Sequence, residues 1–348
     1  MQQQPLATIT NDTRDTMWLC RFDVDGLAHW IGVREEHPPA IDLDTFVSPE
    51  TEDGARGFVW IHVDLVDTRA RNWIGSQPFV PEALRQRFIT SSARRSVISQ
   101  EGVLSFSLPD SALDFDTPTD EVTFLHCLLG ENFLITGRRR KIAAIAAIIA
   151  ATDRGERYMG PFALVGAIVG QIVQRLEDIG AEASDELDDI EDHVLGERMK
   201  NDTAQSLGPL RRGVARLHRH TLMLRQTLFH VERAEAITSF KHRRKALQTY
   251  VERLEALDHD TIAEQGRAKI LQDEISTRIA NESNRSLYIV TMMTTFFMPP
   301  ALIAGIFGMN VASLPLDETP GGFWWSMLLL GGSIAATYFV LRRFVKNR

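Results

Sequence analysis

Apolar positions are spread unevenly along this chain. Between residues 16 and 155 they come in short runs rich in Val, Ile, Phe and Trp: MWLCRFDV, GFVWIHVDL, SVISQEGVLSFSL, VTFLHCLLG and NFLITG. Gly, Asp and Pro bound these runs, so each reads as a strand. Gly130, Glu131 and Asn132 separate the last two and predict a hairpin. PEALRQRFI and RKIAAIAAIIAATD read as helices, the first with Pro81 at its first helical position, the second rich in alanine. The basic run at 137–141 falls at the start of that second helix.

From about Gly160 the pattern turns helical and stays so. FALVGAIVGQIVQRLEDIGAEASDELDDIEDHVLG reads as one long helix or two. Its apolar first half has about a dozen uncharged residues before Arg175, too few to cross a bilayer, and so predicts a core helix. Residues 203–235 form a more basic helix, expected to pair with the acidic one as a hairpin. From Ser239 to Phe307 only Gly266 and the Pro299-Pro300 pair interrupt helical grammar. A helix of about 65 residues is about 100 Å long, more than one globular core can cover. It reads as a stalk running from water into a membrane.

Two stretches carry no Asp, Glu, Lys or Arg: Ser286 to Leu316 and Thr319 to Leu341. Each exceeds the roughly 20 residues that span about 30 Å of hydrocarbon. Arg278 and Arg285 precede the first; Arg342, Arg343, Lys346 and Arg348 follow the second. The loop between them has only Asp317 and Glu318 as charges, which predicts both ends in the cytoplasm and that loop outside. The expected organisation is a polar tail (1–15), an α/β domain (16–157), a helical hairpin (158–238), a stalk helix (239–309) whose end at about 286–309 is the first span, an outer loop (310–320), a second span (321–341) and a basic tail (342–348).

Composition alters this picture little. The 348 residues carry a formal net charge of -8, which argues against a nucleic-acid partner for the basic run at 137–141. The first residues, MQQQPLATITNDTRDT, lack an apolar core of the secretory type, so the α/β domain is expected in the cytosol. Cys20 and Cys127 sit in strand-like runs and read as buried free thiols. No phosphate-binding loop and no GxSxG elbow is present. No catalytic constellation emerges, and nothing points to an enzyme or to a cofactor. His218 and His220 are two apart and face different sides of a helix; with His230, His242 and His259 they give no zinc-finger spacing, so no structural metal site is assigned.

Steps of three and four along the long helix give one stripe: Gly266, Ile270, Asp273, Thr277, Ala280, Asn284, Leu287, Thr291, Thr294, Met298, Ala301, Gly305. Within the span these residues are small, hydroxylated or soft. Such a face suits close helix packing or the wall of a narrow water path. One helix cannot enclose a path, so a pore requires several copies around an axis, with the first span inside and the second, bearing Trp324, Trp325 and Tyr338 at its ends, outside. Asp273 and Thr277 lie on the same stripe before the span, where Asp273 would form a cation-attracting ring or pair with Arg278 or Lys269. The acidic run from Glu177 to Asp192 reads either as a solvated helix face or as a cation-attracting surface.

FMPPALIAGIFGMNV resembles the motif of the CorA-type divalent cation transporters: a proline, then Gly-Met-Asn at the end of the first of two spans. Pro299, Gly305, Gly308, Met309 and Asn310 match, and the layout is similar over essentially the whole chain. The resemblance implies a funnel-shaped homopentamer with an α/β cytosolic domain, a long stalk helix and two transmembrane helices, in a bacterial inner membrane. It places Gly308, Met309 and Asn310 as the selectivity motif at the outer mouth. Asn284, Leu287, Thr291, Thr294, Met298, Ala301 and Gly305 would then line the pore. A ring of neutral amides can hydrogen-bond the water shell of an ion that dehydrates reluctantly, without trapping it. Asp317 and Glu318 would raise the local cation concentration, and Gly308 would let the backbone turn at the mouth.

The ending PGGFWW, and WIHVDLVDTRARNWI with Trp60, Ile61, His62, Trp73 and Ile74, are similar to the zinc-transporting branch of that family. Met309 departs from it, since that branch often has an aliphatic residue there. The expected cargo is therefore Zn2+, with Mg2+, Co2+, Ni2+ and Cd2+ as the other ions a related pore would take. The alternatives are a Mg2+ or Co2+ channel of the same fold and a membrane-anchored signalling protein whose spans only tether it. The expected partners are further copies of the chain, the lipid bilayer and the transported ion.

Overall fold

The computed structural model describes residues 17–31, 57–90, 97–110, 123–196, 203–234, 244–309 and 321–346. The chain divides into two compact units, one ending at Lys269 and one beginning at Ile270.

The first unit is built on a seven-stranded sheet. Its strands are β1 (Met17–Phe22), β2 (Ala28–Ile31), β3 (Phe58–Asp64), β4 (Ile98–Gln100), β5 (Val103–Asp110), β6 (Thr123–Leu129) and β7 (Phe133–Arg138). Their order is β2-β1-β3-β7-β6-β5-β4. β3 and β7 run parallel and every other pair is antiparallel. The strands read as unbroken apolar runs because both faces of the sheet are covered. On β1, Trp18, Cys20 and Phe22 point to one core, while Met17 and Leu19 point to the other. This is the two-residue alternation of a pleated strand.

The second-named core lies under α1 (Thr68–Ser76) and α2 (Glu82–Thr90), which contribute Trp73, Ile74, Leu84 and Phe88. On the opposite face stand α3 (Ala143–Asp153), α4 (Pro161–Leu195), α5 (Thr203–Arg233) and the first part of α6 (Arg244–Phe307). Leu247, Leu254 and Leu257 of α6 join this core at coiled-coil spacing, beside Leu217 and Leu224 of α5. At Gly170 of α4 an added Cβ would stand 2.7 Å from the Tyr250 hydroxyl of α6, so a side chain here would push the tip of that ring aside.

The elements differ from the sequence expectations in instructive places. SVISQEGVLSFSL is a hairpin rather than one strand, because Glu101 (φ 49°) and Gly102 (φ 76°) reverse the chain. β2 and α1 had no counterpart: β2 is a four-residue edge strand, and α1 is capped by Asp67, whose carboxylate accepts from the Arg69 N–H. Pro81 precedes α2, its carbonyl accepting from the Leu84 and Arg85 N–H groups. The basic run at 137–141 does not start a helix. Gly137 and Arg138 end β7, and α3 begins at Ala143. The long acidic segment is one helix, not two, and it packs against α5 as expected. Both cysteines are free and buried.

The second unit holds the remainder of α6 and α7 (Gly322–Lys346). Both helices contain stretches long and apolar enough to cross a membrane. α6 runs unbroken through Pro299 and Pro300. Neither proline has an N–H, so the carbonyls of Thr295 and Phe296 lose their helical donors.

Candidate functional site

The apolar part of α6 has two unlike faces. Met292, Phe296, Pro299, Ile303 and Phe307 are half-buried and Pro300 is buried. Their spacing of three and four makes a single stripe. On α7, Gly322, Ser326, Leu330, Ser333, Thr337 and Leu341 form a matching half-buried stripe. Every one of Asn284, Leu287, Thr291, Thr294, Met298, Ala301 and Gly305 is exposed, with Leu287 62% and Met298 67% accessible. From Met292 on, the residues expected to line a pore therefore stand on the face of α6 that the chain itself leaves uncovered, whereas between Asn281 and Thr291 every residue is exposed. Asp273 and Thr277 are exposed on the same stripe.

The threonines on this face are chemically polarised. Thr277, Thr291 and Thr294 each donate their hydroxyl to the carbonyl four residues back, on Asp273, Leu287 and Val290, at 2.8 Å in each case. With the proton committed to the helix, each oxygen keeps its lone pairs for an outside donor. A hydrated cation presents such donors, because its bound waters point their hydrogens outward. Within the charge-free run the face thus offers uncharged acceptors.

At the end of α6 the Gly308 N–H bonds to the Ala304 carbonyl (2.9 Å) and the Met309 N–H to the Ile306 carbonyl (3.3 Å). Gly308 is not among the residues with positive φ, so here it closes the helix instead of turning the chain in the left-handed region. A Cβ at this position would stand 3.1 Å from the Ala304 carbonyl oxygen. Met309 is exposed. Asn310, Asp317 and Glu318 lie outside the described residues.

In the first unit the acidic helix is partly neutralised by arginines of α6. Arg267 bonds to Asp188 (2.5 Å) and Glu191 (2.6 Å) of α4 and to Glu264 of its own helix (3.3 Å). Arg253 grips Glu177 through two nitrogens. The hydrogen bonds to Asp188 and Glu191 hold the Arg267 guanidinium even more firmly charged than usual. Most other carboxylates of α4 are exposed. Among the described residues no group of three His, Cys, Asp or Glu is arranged to hold a metal. Asp258 of α6 meets two α5 side chains, His218 at 2.9 Å and Arg225 at 3.3 Å. The first is a close approach without hydrogen-bond alignment. Sequence reasoning missed both clusters, although the seven-residue step from His218 to Arg225 marks one face of α5. Arg278, a candidate partner of Asp273, donates to Glu274 at 2.9 Å.

His62, expected beneath the sheet, is buried within β3. Its Nδ1 lies 2.8 Å from the Thr136 hydroxyl, which also accepts the Trp60 indole N–H at 2.9 Å. Burial, and secondarily the charge of Arg138, keep this imidazole neutral well below its ordinary range. It is a core residue and has no place in a metal site.

Comparison with known proteins agrees with this layout. The sequence profile of the family described as CorA-like Mg2+ transporter protein matches residues 55–343. A curated relative, the zinc transport protein ZntB of Pectobacterium carotovorum subsp. carotovorum (strain PC1), is 24% identical over 288 residues, covering 82% of this chain and 86% of the relative. The divalent cation transporter CmaX of Pseudomonas aeruginosa is 24% identical over 301 residues, covering 82% and 86%. The structure of full-length CmaX superposes with a TM-score of 0.77 at 21% identity, covering 94% of this chain and 96% of that one. An α/β domain, a long helix and a second apolar helix at the C-terminal end, matched by one family profile over most of their length, place the chain in the CorA-like Mg2+ transporter family, which is a family of divalent cation transporters and not of enzymes.

Proposed function

We propose that this chain carries Zn2+ through a pore formed by five copies, lined by the uncovered stripe of α6. The observation that carries this reading is the contrast between the two faces of that helix. From Met292 to Phe307 one face is half-buried within its own unit while Thr294, Met298, Ala301 and Gly305 are exposed; between Asn281 and Thr291 every side of the helix is exposed. In a membrane the threonine oxygens of that stripe, already donating within the helix, would turn their remaining lone pairs to lipid, where no donor meets them. Copies arranged around an axis give those oxygens an aqueous path. In this reading residues 286–309 and 321–341 are the spans. Both termini lie in the cytoplasm of a bacterial inner membrane, and Gly308, Met309 and Asn310 form the outer mouth beside Asp317 and Glu318.

Zinc is favoured because the relative ZntB is named a zinc transport protein and because PGGFWW and WIHVDL resemble that branch. A second reading, a Mg2+ or broader divalent pathway, is favoured by the family description and by CmaX, named a divalent cation transporter. Reconstituted protein in vesicles loaded with ion-selective dyes separates the two. Zn2+ influx exceeding Mg2+ influx at equal gradients supports the first, and Mg2+ influx without Zn2+ influx overturns it. A mere membrane tether predicts no flux of either ion.

A further inference from the structure

Within the second unit α6 and α7 border a cavity of about 670 Å³. Met292, Met293, Phe296 and Phe297 of α6 line one side; Leu341, Tyr338 and Arg342 of α7 line the other. The walls are apolar, and the polar groups gather where the charge-free run of α7 ends. Phe297, Met293 and Tyr338 are each more than half exposed. None of the wall residues belongs to the uncovered stripe, so the cavity is separate from the proposed ion path.

We propose that this cavity binds an anionic phospholipid, with an acyl chain along the Met and Phe side chains and the headgroup phosphate on Arg342 and the Tyr338 hydroxyl. Charge complementarity selects this occupant. Arg342 brings a guanidinium with five donors to the rim of an apolar groove. Within its own charge-free stretches, 286–316 and 319–341, a second copy of the chain offers no counter-charge; its nearest acid before the first stretch is Glu282, on the stalk. A phosphate supplies that charge and accepts the guanidinium in the two-pronged geometry it favours. The thioether and phenyl walls suit a flexible chain, because methionine adapts to irregular shapes. The tyrosine, one turn from Arg342, bridges the apolar wall and the wet rim.

The test uses the full-length protein in mild detergent, stripped of lipid and offered equal amounts of phosphatidylglycerol and phosphatidylethanolamine, with bound lipid counted by native mass spectrometry. Phosphatidylglycerol is retained at least fivefold over phosphatidylethanolamine. Arg342→Gln brings the ratio to near one, Arg342→Lys keeps part of the preference, and Arg343→Gln, outside the cavity, leaves it unchanged. Phe297→Trp fills the groove and lowers retention of both lipids. Equal retention by the parent protein overturns the proposal, as does a preference that survives Arg342→Gln. A Phe297→Cys variant that crosslinks between copies in high yield also overturns it, by assigning the groove to a neighbouring protomer; the native cysteines, both buried, do not compete.

Discussion

Thr136 serves two buried neighbours at once, accepting from Trp60 and bonding to His62 across the parallel β3–β7 pair. Thr136→Val keeps the shape and removes the oxygen. It leaves an indole N–H and an imidazole nitrogen unpaired and lowers stability by about 2 kcal/mol, seen in denaturant unfolding followed by tryptophan fluorescence. His62 and His126 also make the fold acid-sensitive. Burial holds His62 well below its ordinary value and takes His126 down to about 4, with the Arg139 charge adding to the latter. Unfolded histidine binds a proton near pH 6.5, whereas these two do not while the chain is folded. The unfolded state therefore gains protons first, so their contribution is complete above about pH 6.5 and declines as pH falls towards 4. Thermal melting from pH 7.5 to 4.5 shows a falling midpoint. His126→Phe, which also loses the 2.8 Å bond to Ser107, flattens part of that slope.

Helices α4, α5 and α6 are joined by apolar contacts and by a few charges. Arg267 is more than a third exposed, so its removal costs little by itself, on the order of 1 kcal/mol or less. Arg267→Ala nonetheless leaves Asp188, Glu191 and Glu264 facing one another. The expected melting point falls more at low salt than at 1 M salt, where screening shortens the reach of like charges to a few ångströms. Asp258 lies deeper. Asp258→Asn leaves the Arg225 guanidinium without a counter-charge and costs about 2 kcal/mol, readable in the same unfolding assay. The sequence displayed the α4 acids plainly. Their arginine partners were hidden because they come from α6, 76 to 79 residues away, and pairing at that separation has no local period.

For the assembled molecule the predictions concern flux. Thr294→Val removes one acceptor from the uncovered stripe while leaving helix and volume intact, and lowers reconstituted ion flux severalfold without changing oligomer mass. Asn310→Ala abolishes flux or selectivity. A tether without transport shows no flux with or without that amide. Light scattering of the detergent-solubilised protein gives the mass of five chains plus micelle.

The short apolar runs, the periodicity of α4 to α6 and the two charge-free stretches were readable directly in the sequence. Each reports a local rule: alternation along a strand, a period near 3.6 along a helix, and the absence of charge where no water is available. The stripe of α6 followed from the same period. Which neighbours those patterns meet was not readable. The sequence alone could not show that β3 lies between β1 and β7, that Glu101 and Gly102 break a run into a hairpin, or that Arg267 closes an acidic cluster. Nor could it show that a second stripe of α6 is taken up inside the chain while the first stays bare. Those outcomes depend on packing between segments far apart in sequence, and only the tertiary fold brings such segments within contact distance.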